Sequence, residues 1–199
     1  MRLLIRAVLL MAMLLVGLVG IGFLLDEKVH VERSTQIAAT PSTMYALLNS
    51  FEHFDQWSPW VDLDPAVKIE RSGPASGVGA RYSWRGNAEV GAGSQEIIAT
   101  TPESSVQIRL AFVGFDKPST ATFTIKPDGS GSRVTWAMDS DVGSNPINRY
   151  LGLMMDKYIG RDYEKGLARL KTLAEKPPAA GPAAQHPART RCGAWSSAG

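Results

Sequence analysis

The segment ATFTIKPDGSGSRVTWAMDSD, residues 121–141, is the clearest indication of the fold, because it contains two alternating stretches joined by a turn. Apolar and polar residues alternate with a period of two in both stretches, which is the pattern of a half-buried strand. The apolar positions are Ala121, Phe123, Ile125, Val134, Trp136 and Met138. Pro127-Asp128-Gly129 has the composition of a tight turn, so the segment predicts an antiparallel hairpin over 120–126 and 133–139.

Further strands are predicted on the N-terminal side of this hairpin. The same alternation and intervening turn residues place them at 67–71, 80–85, 93–101 and 105–112, with an earlier strand that contains Val29, Val31 and Ile37. Gly86-Asn87 and Gly91 predict the turn between the second and third of these. Charged residues occupy the opposite positions, which indicates an antiparallel sheet with one face in solvent.

Three helices complete the predicted α+β domain. Thr40 before Pro41 predicts a helix start, and a second short helix or turn over 51–57 ends before Pro59. After Pro146 the apolar spacing changes to three and four, which predicts a long helix whose apolar stripe packs on the sheet. That stripe contains Ile147, Tyr150, Leu151, Met154, Tyr158, Ile159, Tyr163, Leu167, Leu170 and Leu173. Gly152, Gly160 and Gly166 predict close approach to the sheet, room for a guest, or relief of a clash.

The N-terminus carries an apolar run at 7–25, long enough to cross a bilayer as one helix. Arg2 and Arg6 precede the run, and Asp26 and Glu27 follow it. We expect a retained anchor at 1–25 in the cytoplasmic membrane, with its N-terminus in the cytoplasm and the domain outside. The alternative is a signal peptide, cleaved to release a secreted domain.

The remaining chain predicts one domain at 26–176 and a disordered, Pro- and Ala-rich tail at 177–199. Of the 21 Lys and Arg residues, four lie outside the domain, leaving 17 against 19 Asp and Glu. A domain without a basic excess is not expected to bind nucleic acid. The single Cys192 and the isolated His30, His53 and His186 predict no disulfide framework, metal or cofactor.

The segment FEHFDQWSPW, residues 51–60, holds four aromatic rings in ten positions. It predicts either the wall or lid of a concave apolar site or a plug at one end of the core. In the first case we expect an apolar guest between the sheet and the long helix. The predicted lining is Trp57, Trp60, Tyr82, Trp84, Phe112, Phe123, Trp136, Met138, Met154 and Tyr158.

The order of elements and several segments resemble the START-like, or SRPBCC, superfamily in its polyketide cyclase/dehydrase branch. The resemblance rests on FEHFDQWSPW, on SGPASGVGARYSWRGNAEVGAG at 72–93, on residues 121–141 and on LMMDKYIGRDYEKGLARLK at 153–171. It covers about residues 28–175. It implies a helix-grip fold, in which an antiparallel sheet wraps around a long C-terminal helix, and it implies binding of lipids, polyketides, sterols or hormones, with catalysis in only some members.

Catalytic residues are scarce, because strand parity turns most charges to solvent. His53 and Asp55 are the best acid/base candidates and Tyr82 the best phenolic donor. Three hypotheses follow. The first is a membrane-anchored binding or transfer module for a hydrophobic small molecule or lipid, without turnover. The others are a cyclase- or dehydratase-like enzyme and a partner-binding scaffold without ligand.

Overall fold

The structure, a computed structural model, describes residues 1–115 and 117–176. The expected disordered tail and Cys192 lie outside these residues. One antiparallel sheet contains the described strands in the order β1-β7-β6-β5-β4-β3-β2. The strands are β1 (Lys28–Ile37), β2 (Lys68–Ser72), β3 (Arg81–Arg85), β4 (Ala92–Thr101), β5 (Ser105–Phe112), β6 (Ser119–Asp128) and β7 (Gly131–Asp141).

Four helices accompany the sheet: α1 (Arg2–Leu24), α2 (Pro41–Leu48), α3 (Phe54–Trp57) and α4 (Pro146–Ala174). A short 3₁₀ turn covers Val61–Leu63. The α+β helix-grip fold expected from the sequence is confirmed, because the meander β2–β7 and the first strand form one sheet against the long C-terminal helix. In the hairpin of β6 and β7, Phe123 lies opposite Trp136 and Asp128 opposite Gly131.

The starting points of the two short helices, α2 and α3, follow from the local sequence. The hydroxyl of Thr40 accepts a hydrogen bond from the Thr43 amide, and Pro41 occupies the first position of α2, as predicted. Within the predicted helix or turn at 51–57, the helical part begins at Phe54. Residues 51–53 form a bend instead, which still turns the Phe51 ring into the core.

The predicted apolar stripe of α4 is wrong for its N-terminal half. Tyr163, Leu167 and Leu170 are buried on the sheet, but the side chains near the start are exposed to solvent. The exposed members are Ile147, Leu151, Met154 and Tyr158. The side of α4 that meets the sheet instead includes three buried glycines, Gly152, Gly160 and Gly166.

These glycines let the α4 backbone approach the strands closely, as the first of the predicted alternatives requires. A Cβ at Gly152 would lie 2.9 Å from Val29 Cγ2, and one at Gly166 would lie 2.8 Å from Trp136 Cζ3. A Cβ at Gly160 would collide with the Arg33 guanidinium. That guanidinium bonds Asp156 and Glu164 on α4, so strand β1 and the helix are joined by ion pairs beside the glycine contacts.

Helix α1 is the candidate membrane span among the described residues. Its 23 residues extend about 35 Å, enough to cross a hydrocarbon layer of about 30 Å. Apart from Gly22, its side chains are exposed. It contacts the remainder of the protein through the start of α4, where a Cβ on Gly22 would lie 2.6 Å from Pro146 Cβ.

The strand register places several loops at the end of the sheet where α1 joins β1, which we call the α1 end. Lys28 at the start of β1 lies opposite Asp141 at the end of β7. Arg85 lies opposite Ala92, and Gly93 lies opposite Phe112. The β3–β4 loop, the start of the β5–β6 loop and the β7–α4 connection therefore all lie at the α1 end.

A candidate apolar cavity between the sheet and the long helix

A cavity of about 300 Å³ lies between the inner face of the sheet, α4 and the segment around α3. Its wall is mostly apolar or aromatic, which suits a guest without charge. The lining residues are Phe54, Ser58, Trp60, Val61, Val67, Tyr82, Trp84, Glu89, Val90, Gln95, Leu110, Phe112, Met138, Ile159 and Tyr163. Glu89, Val90 and Phe112 belong to loops or strand ends at the α1 end, so the cavity extends toward that end.

The predicted lining residues fall into three groups. The first group lines the cavity and contains Trp60, Tyr82, Trp84, Phe112 and Met138. The second is buried in the core beside it and contains Trp57, Phe123 and Trp136. The third, Met154 and Tyr158, is exposed on α4 and lies outside the cavity. The glycine contacts explain this correction, because they turn a different side of α4 toward the sheet.

The aromatic segment 51–60 combines both roles that its sequence allowed. The rings of Phe51, Phe54 and Trp57 are buried, and Trp57 packs edge to face on Phe123 and Trp136. These rings plug the core. Trp60 is only half-buried, and it lines the cavity together with Phe54.

Trp60 is fixed in place by one hydrogen bond and two ring contacts. Its indole N–H donates to Asp162 Oδ2 at 3.1 Å, and its ring lies edge to face on Trp136 and Tyr163. Tyr163 in turn stacks on Trp136, with ring centroids 3.8 Å apart and planes 10° apart. A half-exposed ring held by both α4 and the sheet is suited to form one wall of an apolar site.

Tyr82, Asp55 and Arg71 form a polar network at the cavity wall. The Tyr82 hydroxyl donates to Asp55 Oδ1 at 2.6 Å, and the Arg71 guanidinium pairs with the other carboxylate oxygen. Burial, and then the hydrogen bond to Asp55, raise the pKa of the Tyr82 phenol. The Tyr82 phenol therefore stays neutral, and its O–H donates to the Asp55 carboxylate. Asp55 itself does not line the cavity.

His53 does not join this network. Its Nδ1 lies 3.0 Å from Gln56 Nε2, and its backbone carbonyl accepts from the Gln56 amide. His53 therefore helps to start α3, and it does not line the cavity. The predicted pair of His53 and Asp55 is replaced in the structure by the pair of Tyr82 and Asp55, which strand β3 and helix α3 bring together.

Sequence reasoning missed Gln95, a buried polar side chain in the cavity wall. Gln95 is buried on β4, lines the cavity and lies opposite Tyr82 and Leu110 on the two neighbouring strands. It shares the inward side of its strand with Ile97, so a polar residue on an apolar face was the available signal. An amide there offers both donors and an acceptor to a guest. Arg71, Ile159 and Tyr163 were missed too, because their positions depend on tertiary packing.

Residues 28–175 match the model of a protein family described as polyketide cyclase / dehydrase and lipid transport. The chain belongs to this family. The match covers the sheet, the short helices and α4, and it omits α1. The comparison with curated proteins found no significant match.

Solved structures with the same fold include members of different function. Truncated norcoclaurine synthase from Thalictrum flavum superposes with a TM-score of 0.57 at 13% identity, covering 76% of this chain and 96% of that one. The di-domain ARO/CYC StfQ of the steffimycin biosynthetic pathway gives 0.56 at 12% identity, over 75% of this chain and 51% of that one. A protein from Chromobacterium violaceum superposes with a TM-score of 0.52 at 15% identity, covering 74% of this chain and 98% of that one. At these identities the likeness to this polyketide cyclase/dehydrase family chain concerns the fold alone.

Proposed function

We propose that this protein is a membrane-anchored module that binds or transfers a hydrophobic small molecule or lipid. The observation that carries the proposal is the apolar, aromatic-lined cavity between sheet and α4. Binding needs only such a cavity and a few convergent polar groups. Tyr82 and Gln95 supply these groups on adjacent strands, so the favoured guest has an apolar body and a single hydrogen-bonding group.

The cavity volume narrows the class of guest. At about 300 Å³ the cavity is at the lower end of the range for small-molecule sites, which is about 300–1,000 Å³. That size favours a small ring system, an isoprenoid or a single acyl chain over a complete two-chain phospholipid. The exposed Glu89 at the edge of the cavity disfavours an anionic group at that position.

Binding is tested by blocking the cavity. Val67→Trp places a large ring at the lining, whereas Val78→Trp places the same ring on an exposed residue outside it. We expect residues 26–176 to bind the uncharged apolar fluorophore N-phenyl-1-naphthylamine saturably at one site, and Val67→Trp to weaken this binding more than tenfold. Val78→Trp should leave it unchanged. Equal binding by both variants would show that the fluorophore does not use the cavity.

The proposed location is the outer side of the cytoplasmic membrane, with α1 as a retained anchor. Asp26 and Glu27 lie between α1 and β1, so the domain would sit against the lipid headgroups. A reporter that is active only outside the cytoplasm is fused after residue 176. Activity in the membrane fraction supports this location, silence in a well-expressed fusion reverses the orientation, and a released soluble domain supports the cleaved signal peptide.

An enzyme of the cyclase or dehydratase type is the second candidate, and the network of Tyr82, Asp55 and Arg71 is the observation that favours it. The network adjoins the cavity through Tyr82, but its carboxylate lies behind the phenol. A proton donor to a bound substrate would therefore act through Tyr82. A partner-binding scaffold, the third candidate, requires that the cavity stay empty.

Turnover is tested with the natural guest once it is identified by mass spectrometry. The purified domain is incubated with that guest, and products are sought. Binding alone predicts no product. A product whose rate collapses in Tyr82→Phe or His53→Ala, while affinity for the guest is kept, would replace the binding module with the enzyme.

A further inference from the structure

The start of α4 is attached to the last turns of α1. The Tyr150 hydroxyl donates to the carbonyl oxygen of Leu18 at 2.6 Å, and Arg149 Nη1 donates to the carbonyls of Phe23 and Leu25 at 2.8 Å. The last carbonyls of a helix have no donor within it, so Arg149 completes the end of α1. Leu18 lies about 9 Å inside that end. This contact places the start of α4 level with the last part of the apolar helix.

The same part of α4 presents an apolar stripe to solvent. Ile147, Leu151, Met154 and Tyr158 follow one another at spacings of four, three and four, so they lie along one line on the helix. Their exposed fractions are 67, 59, 44 and 55%. An exposed stripe of large side chains is unusual for a monomeric soluble domain and marks an interaction surface.

A second exposed apolar group lies at the α1 end of the sheet. Val113 and Phe115, at the start of the β5–β6 loop, are 75% and 74% exposed. The register places Val113 and Phe115 at this end, because Phe112 at the end of β5 lies opposite Gly93 near the start of β4. Phe115 packs edge to face on Phe112, which is itself a cavity-lining residue.

We propose that these two groups form a membrane-contacting surface, through which the cavity takes its guest directly from the bilayer that α1 crosses. The surface consists of Val113, Phe115 and the α4 stripe. The inference rests on the proposed function, since it needs α1 to be an anchor and the cavity to accept a guest. It adds the face that meets lipid and the route by which the guest enters.

The lipid bilayer is the occupant that the contacts favour. The stripe begins in the helical turn that is bonded to α1, so the surface continues an apolar helix already in lipid. Interfacial side chains enter a bilayer by about 5–10 Å, which matches the depth of the contact with Leu18. Lys157 and Arg161 are exposed beside the stripe, with no ion-pair partner in the described part of the chain. Such a border suits anionic headgroups.

The surface is tested with the full chain in vesicles of phosphatidylcholine and phosphatidylglycerol. In a Cys192→Ser background, an environment-sensitive nitrobenzoxadiazole label is attached at Leu151→Cys or at Phe115→Cys. Val78→Cys is the matched control, because Val78 is an equally apolar residue, 57% exposed, at the opposite end of the sheet. We expect the first two labels to be blue-shifted and quenched several-fold more by brominated lipids than the control.

Three measurements distinguish a failure of the membrane-contacting surface from a failure of the anchor or of the cavity. Co-flotation with vesicles reports on the anchor, and fluorophore binding in the cavity reports on the proposed function. If the chain co-floats with vesicles and binds the fluorophore, but its labels are quenched no more than the label at Val78→Cys, only the membrane-contacting surface is overturned. Labels shielded from both brominated lipid and aqueous iodide would also overturn it, because a second protein copy would then cover the stripe.

The entry route has its own measurement. Leu151→Glu with Phe115→Glu should slow the uptake of a fluorescent apolar guest from vesicles several-fold and leave its equilibrium affinity unchanged. Val78→Glu should alter neither quantity. Unchanged uptake in the double variant would contradict entry from the bilayer.

Discussion

Two tryptophans three positions apart have different roles, because one is enclosed by the core and the other borders the cavity. Trp57 is 2% exposed and contacts three aromatic rings, whereas Trp60 is half-buried. Trp57→Ala should therefore lower the free energy of unfolding by about 3–5 kcal/mol. Trp60→Ala should lower the free energy of unfolding by only about 1–2 kcal/mol, because it removes the hydrogen bond to Asp162 and the burial of part of the Trp60 ring.

The paired measurement is chemical denaturation together with fluorophore affinity. Trp60→Ala is expected to weaken binding several-fold at modest cost in stability. A large loss of stability with unchanged affinity would show that Trp60 is only a core residue.

The hydrogen bond of Tyr82 makes stability depend on alkaline pH. The pKa of its phenol is raised in the folded protein by burial and by Asp55, so the unfolded chain loses this proton first. The contribution of this neutral phenol to stability is complete below the ordinary tyrosine pKa of about 10, and it declines as pH rises above that value. Tyr82→Phe should cost about 1 kcal/mol at neutral pH, and the difference from the native protein should shrink toward about pH 11. A difference independent of pH would contradict the assigned pKa direction.

Single residues were only partly predictable. Strand parity identified Tyr82, Trp84 and Met138 as inward-facing, because alternation requires no knowledge of the third dimension. It could not tell a ring that borders a cavity from one packed behind it, as with Phe123. Nor could sequence show that Asp55 meets Tyr82 rather than His53, since that contact depends on how α3 lies on β3.

The contact between α4 and the sheet depends on glycines rather than on the apolar stripe alone. A methyl group at Gly166 would press against Trp136 and against Pro59 at 3.2 Å, and both are rigid rings. Gly166→Ala should therefore destabilise the domain by about 1–3 kcal/mol, although alanine favours an exposed helix by about 1 kcal/mol. Thermal unfolding of residues 26–176 measures this effect.

Ala168→Gly, at an exposed position of the same helix, is the matched control and should cost about 1 kcal/mol by propensity alone. Stabilisation by Gly166→Ala would show that α4 packs less closely than described.

The elements themselves were predicted within a few residues, because their patterns are local. The 105–112 strand agrees at both ends, and the Thr40 cap starts α2 as expected. The rotation of α4 was not predictable from periodicity, because 29 residues allow apolar stripes on more than one side of a helix. The side of α4 that packs on the sheet is the one with Gly152, Gly160 and Gly166, because these residues are small enough to meet the strands.

At the scale of the whole molecule, the sheet, α4 and α1 give the proposed function its geometry. The family places the fold among proteins of polyketide cyclase, dehydrase and lipid transport type. The cavity extends toward the end of the sheet where α1 emerges, and the exposed apolar stripe of α4 begins at the same end, where Val113 and Phe115 also lie. On the membrane-contacting surface proposed above, a hydrophobic guest would move between membrane and cavity without crossing water.

If the cavity holds an apolar guest, native mass spectrometry of residues 26–176, purified from cells without added ligand, should detect that guest. We expect a protein species that carries one apolar molecule, which organic extraction removes and which the Val67→Trp variant lacks. The matched Val78→Trp variant should retain it. A domain that is folded, empty and unable to take up any apolar molecule from membrane extracts would show that the cavity is not a binding site for such a guest.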